Sequence, residues 1–377
     1  MKKILNLIIF SAARSDLGII KNIVLKMSND KRFNLKVILG GAHKAEIFGK
    51  TCNEINEIKN INKYIMKIKY KDSDDKNLSV YFSKTTLLAQ KYINSNKIDA
   101  AIIMGDRYEM LAFSLVCFNN KISIIHLCGG SDTFGSLDNN YRYCISRLSR
   151  LHLVETKHHK YNLIKNNIKK NIHIVGAPGL ENIKNKLISR KEFEKEFKFS
   201  FNKEKILVCC FHPESNKTIN QNINNLKILI QFLKKRKENI IITYPNADAG
   251  FKKYISIIKK NLYNKDNVNF IKSFGIKNYY SLLKFSNVII GNSSSGIIES
   301  ASFQIPTINI GDRQKGRFAQ KNVINCKFNI KKIESAFKKA NSKKFVRSIK
   351  KIKNIYYKKN TSSNICNLIY KKRKILI

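Results

Sequence analysis

The segment "GNSSSGIIES", residues 291–300, places small, hydroxylated and acidic residues directly after the apolar run "SNVII". Gly291 and Gly296 flank three consecutive serines, and Glu299 follows them. Free backbone N–H groups, small side chains and a helix start together bind anions, so the pattern predicts a phosphate site. Glu299, in the first turns of that helix, would accept hydrogen bonds from ribose hydroxyls. The alternative interpretation is a well-capped helix start without a ligand.

Basic side chains follow two other apolar runs and suit the phosphates of a nucleotide. Arg14 lies in "SAARSDLG", and its planar fork can grip a phosphate through two parallel hydrogen bonds. A surface position is the alternative for Arg14, although a cation at a helix start opposes the helix dipole. The segment "INIGDRQKGR" adds Arg313, Lys315 and Arg317, enough positive charge for a diphosphate. The chain contains neither a G-x-G-x-x-G fingerprint nor a Walker loop.

Further polar residues follow apolar runs and could act on the group that the nucleotide carries. In "GDRYE", Asp106 is a candidate general base or sugar ligand, with an ordinary helix N-cap as the alternative, and Arg107 stands beside it. His212, in "FHPES", is a candidate because it follows the first strand of the predicted second domain. Asn246 lies in the turn "YPNADAG" and is assigned to the sugar.

The segment "HLCGGSDTFGSLDNNYR", residues 126–142, opens into two glycines surrounded by hydroxyl and carboxyl groups. A strand-to-helix turn needs glycines but does not need these polar neighbours. We expect Gly129 and Gly130 to let the backbone approach the sugar, with Ser131 beside them. Asp138 is expected at the start of the next helix, opposite Asp106. Two carboxylates at one ring would divide the work of moving a proton and orienting water.

These polar groups require strands that end at a common edge. Continuous apolar runs, such as "DAAIIMG" and "KILVCCF", alternate with helical stretches along the whole chain. Unbroken hydrophobicity indicates strands covered on both faces, hence parallel sheets between helices. We predict an α/β protein with two doubly wound Rossmann-like domains and a ligand cleft between them. The predicted boundaries are 1–176 for the sugar side, 177–350 for the nucleotide side, and 351–377 for a C-terminal helix packing across both.

The composition excludes several classes of protein. The formal net charge is +46, but the excess is mainly lysine spread along the whole chain without a nucleic-acid-binding module, so no nucleic-acid partner is expected. No apolar run reaches 18 residues, so no membrane insertion is expected. The start "MKKILNLIIF" is interpreted as a buried strand, with a signal peptide as the alternative. The eight cysteines lack metal-site spacing, which favours a reducing cytoplasm.

The motifs together resemble the hydrolysing UDP-N-acetylglucosamine 2-epimerases of bacterial sialic-acid and related nonulosonic-acid pathways. "SAARSDLG", "GDRYEMLA", "VGAPGLENI" and "YPNADAGF" carry the resemblance, and the segment from "GNSSSG" to "GDRQKGR" is its most specific part. The resemblance implies the two-domain fold of GT-B glycosyltransferases and a homodimer or homotetramer. It also implies elimination of UDP to a 2-acetamidoglucal followed by addition of water, which requires no metal or redox cofactor.

The resemblance also implies roles for individual residues. The nucleotide would be bound by Arg14, Ser294, Ser295, Glu299 and Arg313. The catalytic or sugar-facing residues would be Asp106, Asp138 and His212. A GT-B glycosyltransferase and a non-catalytic nucleotide-sugar sensor are the rival functions.

The chain departs from the family pattern at Cys128 and Ser131, where relatives usually carry acidic residues or histidine. An unperturbed thiol is mostly protonated near neutral pH and replaces a carboxylate poorly. Asp132 is therefore the candidate for the missing acid. A different sugar, such as N,N'-diacetylbacillosamine on UDP or GDP, would also account for the change, as would loss of activity.

Overall fold

The structure is a computed structural model of the chain and describes residues 4–44, 58, 61–68, 77–245 and 250–377. Asn246 lies outside the described residues, and so does the side chain of Arg14. Within the described residues, no helix combines the length and apolar character that a membrane span requires.

Within this part of the chain, thirteen strands alternate with helices from one end to the other. The strands are β1 (Leu5–Ser11), β2 (Phe33–Leu39), β3 (Asn62–Ile65), β4 (Ala100–Met104), β5 (Ser123–Leu127), β6 (Leu151–Val154), β7 (Ile172–Ile174), β8 (Ile206–Cys210), β9 (Asn239–Thr243), β10 (Val268–Ile271), β11 (Val288–Gly291), β12 (Thr307–Ile310) and β13 (Val323–Cys326).

The α-helices cover most of the remaining described residues, and four short 3₁₀ helices supplement them. The α-helices are α1 (Arg14–Ser28), α2 (Leu78–Asn94), α3 (Tyr108–Asn119), α4 (Asp138–Leu148), α5 (Lys157–Lys165), α6 (Arg190–Phe197), α7 (Ile219–Lys234), α8 (Phe251–Leu262), α9 (Gly275–Phe285), α10 (Ser295–Ile298), α11 (Ile330–Asn341), α12 (Lys343–Ile349) and α13 (Thr361–Lys371). The 3₁₀ helices are Gly41–Lys44, Pro178–Lys184, Ser300–Phe303 and Arg373–Ile375.

Two all-parallel sheets confirm the predicted fold class. The first has seven strands in the order β3-β2-β1-β4-β5-β6-β7, and the second has six in the order β10-β9-β8-β11-β12-β13. In both, the order reverses beside the first strand, so the loops after the strands on either side of that point diverge. The polar residues predicted from the sequence follow these strands at the same sheet edges.

Apolar layers cover both faces of each sheet. In β1, Leu5, Leu7 and Ile9 pack into the layer on one face. Ile8 and Phe10 pack into the layer on the other face. In β8, Leu207 and Cys209 contribute to one layer of the second sheet, and Ile206, Val208 and Cys210 contribute to the other. Unbroken apolar runs were therefore the correct signal for strands buried on both sides.

The chain divides into two compact units. Unit 1 comprises Met1–Ser131, Asp138–Glu181 and Ile355–Ile377, and unit 2 comprises Asp132–Leu137 and Asn182–Asn354. Within the predicted C-terminal segment 351–377, α13 covers Thr361–Lys371 and a 3₁₀ helix follows at Arg373–Ile375. Helix α13 packs into the core of unit 1 through Ile365, Cys366 and Ile369. The short segment 132–137 belongs with unit 2 although it is flanked on both sides by unit 1.

Candidate active site

The loop after β4 places Asp106 at the carboxyl edge of the sheet in unit 1. Arg107, and not Asp106, occupies the N-cap position of α3, so the N-cap alternative for Asp106 is wrong. Arg107 has φ 67° and ψ 144°, a backbone region that residues with a side chain rarely adopt. Its guanidinium pairs with the buried Glu109 carboxylate at 2.9 Å. The strained turn therefore holds Asp106 at a fixed point between strand and helix.

Arg142 of α4 is a partner of Asp106 within unit 1. Its side chain is 2 % exposed, and Nη2 donates to Oδ2 of Asp106. Nη1 of Arg142 donates to the backbone carbonyl of Ser131. A buried guanidinium requires a compensating anion, and Asp106 supplies it. One side chain thus ties the end of β4 to the turn after β5.

Helix α4 brings three polar residues to one face. It begins at Asp138, as predicted, and Arg142 and Ser146 follow at intervals of four residues. Ser146 Oγ lies 2.8 Å from Nδ1 of the buried His126, whose Nε2 lies 2.8 Å from the Gly105 carbonyl. Burial lowers the pKa of His126 to about 3, so the ring is neutral near pH 7. A neutral His126 ring can donate a hydrogen bond from Nε2 to the Gly105 carbonyl and accept one from Ser146 at Nδ1. The first of these bonds holds Gly105, the residue before Asp106, in place.

The two glycines after β5 have packing reasons for their small size. A Cβ on Gly129 would lie 2.7 Å from Nδ1 of His126, and a Cβ on Gly130 would lie 2.3 Å from the carbonyl oxygen of His159. Gly130 also has φ +76°. The role of these glycines in approaching a sugar remains a prediction. Ser131 is buried, and among the described residues its Oγ has no hydrogen-bond partner.

Cys128 lies at the end of β5 with φ 64°, in the left-handed region that favours glycine. The residue is partly buried and packs against the apolar layer of unit 1. These contacts are those of a small apolar side chain.

Asp16 is a buried acid at the carboxyl edge of unit 1 that the sequence analysis did not select. Its Oδ2 accepts hydrogen bonds from the backbone N–H groups of Ala12 and Ala13, at 3.0 and 2.8 Å. Burial raises the pKa of Asp16 to about 6, and the charge of Arg107 acts in the opposite direction. Nearby, Nε2 of the buried His43 lies 2.8 Å from Oγ of Ser11. The signal that could have identified Asp16 is its position in the third residue of a helix that follows a buried strand.

In unit 2, Asn292 joins the ends of β8 and β11. Its Oδ1 accepts from the His212 N–H, and its Nδ2 donates to the His212 carbonyl, both at 2.8 Å. Gly291 has φ +141°, and a Cβ there would lie 2.0 Å from the Cys210 carbonyl oxygen. The backbone of the two strand ends can therefore approach closely only at a glycine. This arrangement places His212 beside the serine-rich loop.

The helix after the three serines is shorter than predicted. Helix α10 covers only Ser295–Ile298, and the 3₁₀ helix from Ser300 follows. Glu299 thus lies at the end of α10, which corrects its expected position in the first turns. Ser294 is the N-cap residue and makes no side-chain cap hydrogen bond, whereas the Ser293 hydroxyl accepts from the Ser295 N–H at 3.4 Å. Gly296 is required by packing, because a Cβ there would lie 2.7 Å from Cγ2 of Thr307.

Ser295 and Glu299 form the inner part of this loop. Ser295 Oγ lies 2.7 Å from the hydroxyl of Tyr279. Burial raises the pKa of Glu299, while its hydrogen bond with Ser295 and the positive charge of Arg317 lower it. Within the described residues, Oε2 of Glu299 is buried and has no hydrogen-bond partner. An acceptor of this kind suits a ligand hydroxyl.

The loop after β12 also contacts the serine-rich loop, at the Asn292 carbonyl just before the three serines. Arg313 Nη1 and Gln314 Nε2 donate to the Asn292 carbonyl at 3.2 and 2.9 Å. Arg313 is partly exposed, whereas Gln314 is buried. The structure therefore brings Arg313 into contact with the backbone just before the three serines, as a phosphate-binding role requires.

The segment 132–137 packs on this same loop within unit 2. The Phe134 N–H donates to the Lys315 carbonyl at 2.8 Å, and the Leu137 N–H donates to Oγ of Ser215 at 3.0 Å. A Cβ on Gly135 would lie 2.0 Å from the Asp312 carbonyl oxygen. Asp132 thus belongs to the unit that carries the predicted nucleotide loop. Sequence analysis did not detect this docking, because its partners are about 180 residues apart in the chain.

Comparison with known proteins decides the family. The family model described as UDP-N-acetylglucosamine 2-epimerase matches residues 25–370. The chain belongs to this family. The structures of relatives compared below share its two-domain α/β fold. Among the described residues, no group of three or more histidine, cysteine or acidic side chains could hold a metal ion.

Individual relatives in the epimerase family cover nearly the whole chain. A Campylobacter jejuni protein named GDP/UDP-N,N'-diacetylbacillosamine 2-epimerase (hydrolyzing) is 34 % identical over 89 % of this chain and 88 % of its own length. A Legionella pneumophila UDP-N,N'-diacetylbacillosamine 2-epimerase (hydrolyzing) is 30 % identical over 85 % of this chain and 84 % of its own length. The crystal structure of Neisseria meningitidis UDP-GlcNAc 2-epimerase bound to UDP-GlcNAc superposes with a TM-score of 0.82 at 20 % identity, covering 98 % of this chain and 100 % of that one. The superposition shows that the fold is shared.

Proposed function

We propose that this member of the epimerase family is a hydrolysing 2-epimerase that converts UDP-N-acetylglucosamine and water into N-acetylmannosamine and UDP. A base removes the proton from sugar C2, and the C1–O bond breaks with its electron pair leaving on the diphosphate. Water then adds across the resulting double bond, with hydroxyl at C1 and a proton on the opposite face of C2. Atoms and charges balance without an added oxidant or reductant.

The observation that carries the proposal is the Arg142–Asp106 ion pair at the end of β4, one helix turn from Asp138 on α4. A carboxylate held by a buried guanidinium keeps one orientation, which proton transfer and water positioning both require. We assign Asp106 and Asp138 to these two steps. His212 and Asp132 supply the remaining acid–base groups on unit 2.

The nucleotide is assigned to unit 2. Ser294, Ser295 and Gly296 would contact the diphosphate, and Glu299 would accept from the ribose. Arg313 and Arg317 would balance the negative charge, together with Arg14 of unit 1. The contact of Arg313 with the Asn292 carbonyl supports this assignment, because it places the guanidinium beside the serine loop.

A second substrate is favoured by the names of two relatives. The Campylobacter and Legionella proteins, both at least 30 % identical to this chain, are named for N,N'-diacetylbacillosamine. Cys128 supports the same alternative, because a smaller and apolar side chain at the sugar turn changes the shape available to the substrate. The chemistry at C1 and C2 would be unchanged.

Incubation of the protein with single nucleotide sugars tests the proposal. UDP-N-acetylglucosamine, and UDP- and GDP-linked N,N'-diacetylbacillosamine, are each supplied without an acceptor, and released nucleotide and sugar are followed by NMR. Release of UDP with a free 2-epimerised sugar is expected from one of them. Release only after an acceptor is added would identify a glycosyltransferase. Tight binding without release would identify a sensor.

Replacement of Arg313 tests the role of the diphosphate site. Negative charge grows on the leaving group during elimination, so Arg313→Ala should lower kcat more than it raises KM. A higher KM with kcat intact would show that Arg313 only binds the substrate.

A further inference from the structure

Unit 2 contains a cavity of about 660 Å³, and among the residues considered for the nucleotide only Lys315 and Arg317 line it. Its walls are the loop after β12, the end of β13 and one face of α11. From α11, Lys332, Ser335, Ala336 and Lys339 line it at intervals of three and four residues, which places them on one side of the helix. The volume is sufficient for a small ligand of one or two rings.

The charges in this cavity are strongly one-sided. Lys315, Arg317, Lys327, Lys332 and Lys339 line it, and Asp312 is the single acid in the lining. Within the lining, the acids are therefore outnumbered by the cations. A ligand with two negative charges, such as a phosphate monoester, would be bound favourably.

Neutral hydrogen-bonding groups add a second kind of recognition. Gln314 is 5 % exposed and lines the cavity, and among the described residues its Oε1 has no hydrogen-bond partner. Asn309 and Asn325 also line the cavity, and their side chains bond to each other at 2.8 Å. A buried amide oxygen without a partner favours a ligand that donates a hydroxyl. These neutral groups distinguish the cavity from other lysine-rich parts of the surface. One such part is the cleft formed by Lys259, Lys260, Tyr263 and Asn264.

We propose that this cavity binds a hydroxylated phosphate monoester of the sugar-phosphate class, at a site separate from the nucleotide loop. The cations hold the phosphate, and Gln314 Oε1 accepts from a sugar hydroxyl. Gln314 also donates through Nε2 to the Asn292 carbonyl, beside the three serines. Gln314 and Arg317 therefore link the cavity to the predicted nucleotide contacts. The inference does not depend on the proposed epimerase reaction.

Isothermal titration of the full chain with glucose 6-phosphate tests the site, and uncharged glucose serves as the control ligand. The titration is carried out with and without saturating UDP. We expect saturable binding of glucose 6-phosphate, but not of glucose, and binding should persist in the presence of UDP. The double variant Lys332→Ala/Lys339→Ala should bind glucose 6-phosphate about tenfold more weakly or worse.

The matched control is Lys331→Ala/Lys338→Ala, which removes the same charge from exposed positions of α11 that do not line the cavity. It should bind glucose 6-phosphate as the unmodified chain does. Ser335→Glu, which introduces a negative charge into the cavity, should abolish binding while leaving thermal unfolding unchanged. If both double variants bound glucose 6-phosphate equally weakly, the effect would be one of general surface charge, and the proposal would be overturned. Complete displacement by UDP, or absence of binding to the unmodified chain, would overturn it as well.

Discussion

The guanidinium of Arg142 is buried beneath the carboxylate of Asp106, and it also donates to the backbone of the glycine turn. The pair is asymmetric, because the Arg142 side chain is 2 % exposed whereas that of Asp106 is 30 % exposed. Removal of the carboxylate takes away an anion that pairs with this buried charge. Removal of the guanidinium leaves an anion that water can reach.

This asymmetry predicts different costs for the two single substitutions. Asp106→Asn should lower the free energy of unfolding by roughly 3 kcal/mol and abolish sugar release. Adding Arg142→Met to Asp106→Asn should restore much of the stability but none of the activity. Urea denaturation and an NMR assay of sugar release measure the two effects separately. Full stability of Asp106→Asn alone would show that the ion pair does not compensate Arg142.

Replacement of Glu299 should raise the stability of the fold and weaken nucleotide binding. Because burial raises the pKa of Glu299, burying its charged carboxylate opposes folding, and Glu299→Gln should raise the melting temperature. The same change should weaken UDP binding by about 1.5–3 kcal/mol, the value of a hydrogen bond to a charged group. Calorimetry with UDP and thermal unfolding measure the two quantities. Glu334→Gln, on α11 of the same unit, is the control, and equal UDP affinity for all three proteins would remove Glu299 from the site.

Gly135 should be essential for the position of the loop after β12. An alanine Cβ would lie 2.0 Å from the Asp312 carbonyl oxygen and 2.7 Å from the Arg313 nitrogen, both backbone atoms. The loop must move to accept it, so Gly135→Ala should weaken UDP binding about tenfold or more and cost about 1–3 kcal/mol of stability. Gly176→Ala, where the Cβ would meet the flexible Lys358 side chain of unit 1, should cost stability alone. Unchanged UDP affinity in Gly135→Ala would show that this contact does not position Arg313.

Proton transfer at sugar C2 distinguishes Asp132 from Cys128. In deuterated water the unmodified enzyme should place deuterium at C2 of the released sugar. Cys128→Ser should have a mild effect, because Cys128 packs against an apolar layer, whereas Asp132→Asn should be severe. Normal turnover by Asp132→Asn together with an inactive Cys128→Ser would place the thiol in the mechanism.

Acid should destabilise the fold between about pH 6 and pH 4.5. Burial lowers the pKa of His43 and His152 to about 4 and that of His126 to about 3, so each is protonated in the unfolded chain below pH 6.5 but stays neutral when folded. Stability is therefore lost as pH falls. Asp16 opposes this trend, because its raised pKa lets the folded chain bind a proton below about pH 6. These four groups by themselves give a net uptake of about two protons on unfolding and a loss of about 3 kcal/mol per pH unit.

Variants separate these contributions to the pH dependence. Asp16→Asn removes the opposing proton and should steepen the loss of stability with acid. The free energy of unfolding at pH 7, 6 and 5 provides the measurement. If Asp16→Asn left the pH dependence of the free energy of unfolding unaltered, the raised pKa of the Asp16 carboxyl would be contradicted.

The sequence by itself determined the fold class and the positions of most loops with polar residues. Strands buried on both faces are apolar at nearly every position, so β4 and β8 are visible as unbroken runs. The edge strands β3, "NKYI", and β13, "VINC", were missed because they are short and only partly covered, which leaves their composition unconstrained. Asp138 was correctly placed at a helix start because the apolar spacing and the preceding turn are local signals.

Tertiary structure alone decided which polar groups meet. Arg142 carries no local signal, since an arginine on a polar helix is normally solvated, and it becomes the partner of Asp106 only when α4 packs beside the end of β4. The docking of 132–137 on the loop after β12 likewise depends on backbone contacts that Gly135 permits, and the sequence shows only a glycine. Local patterns report what each segment buries, whereas the pairing of distant segments depends on the packing of the whole unit.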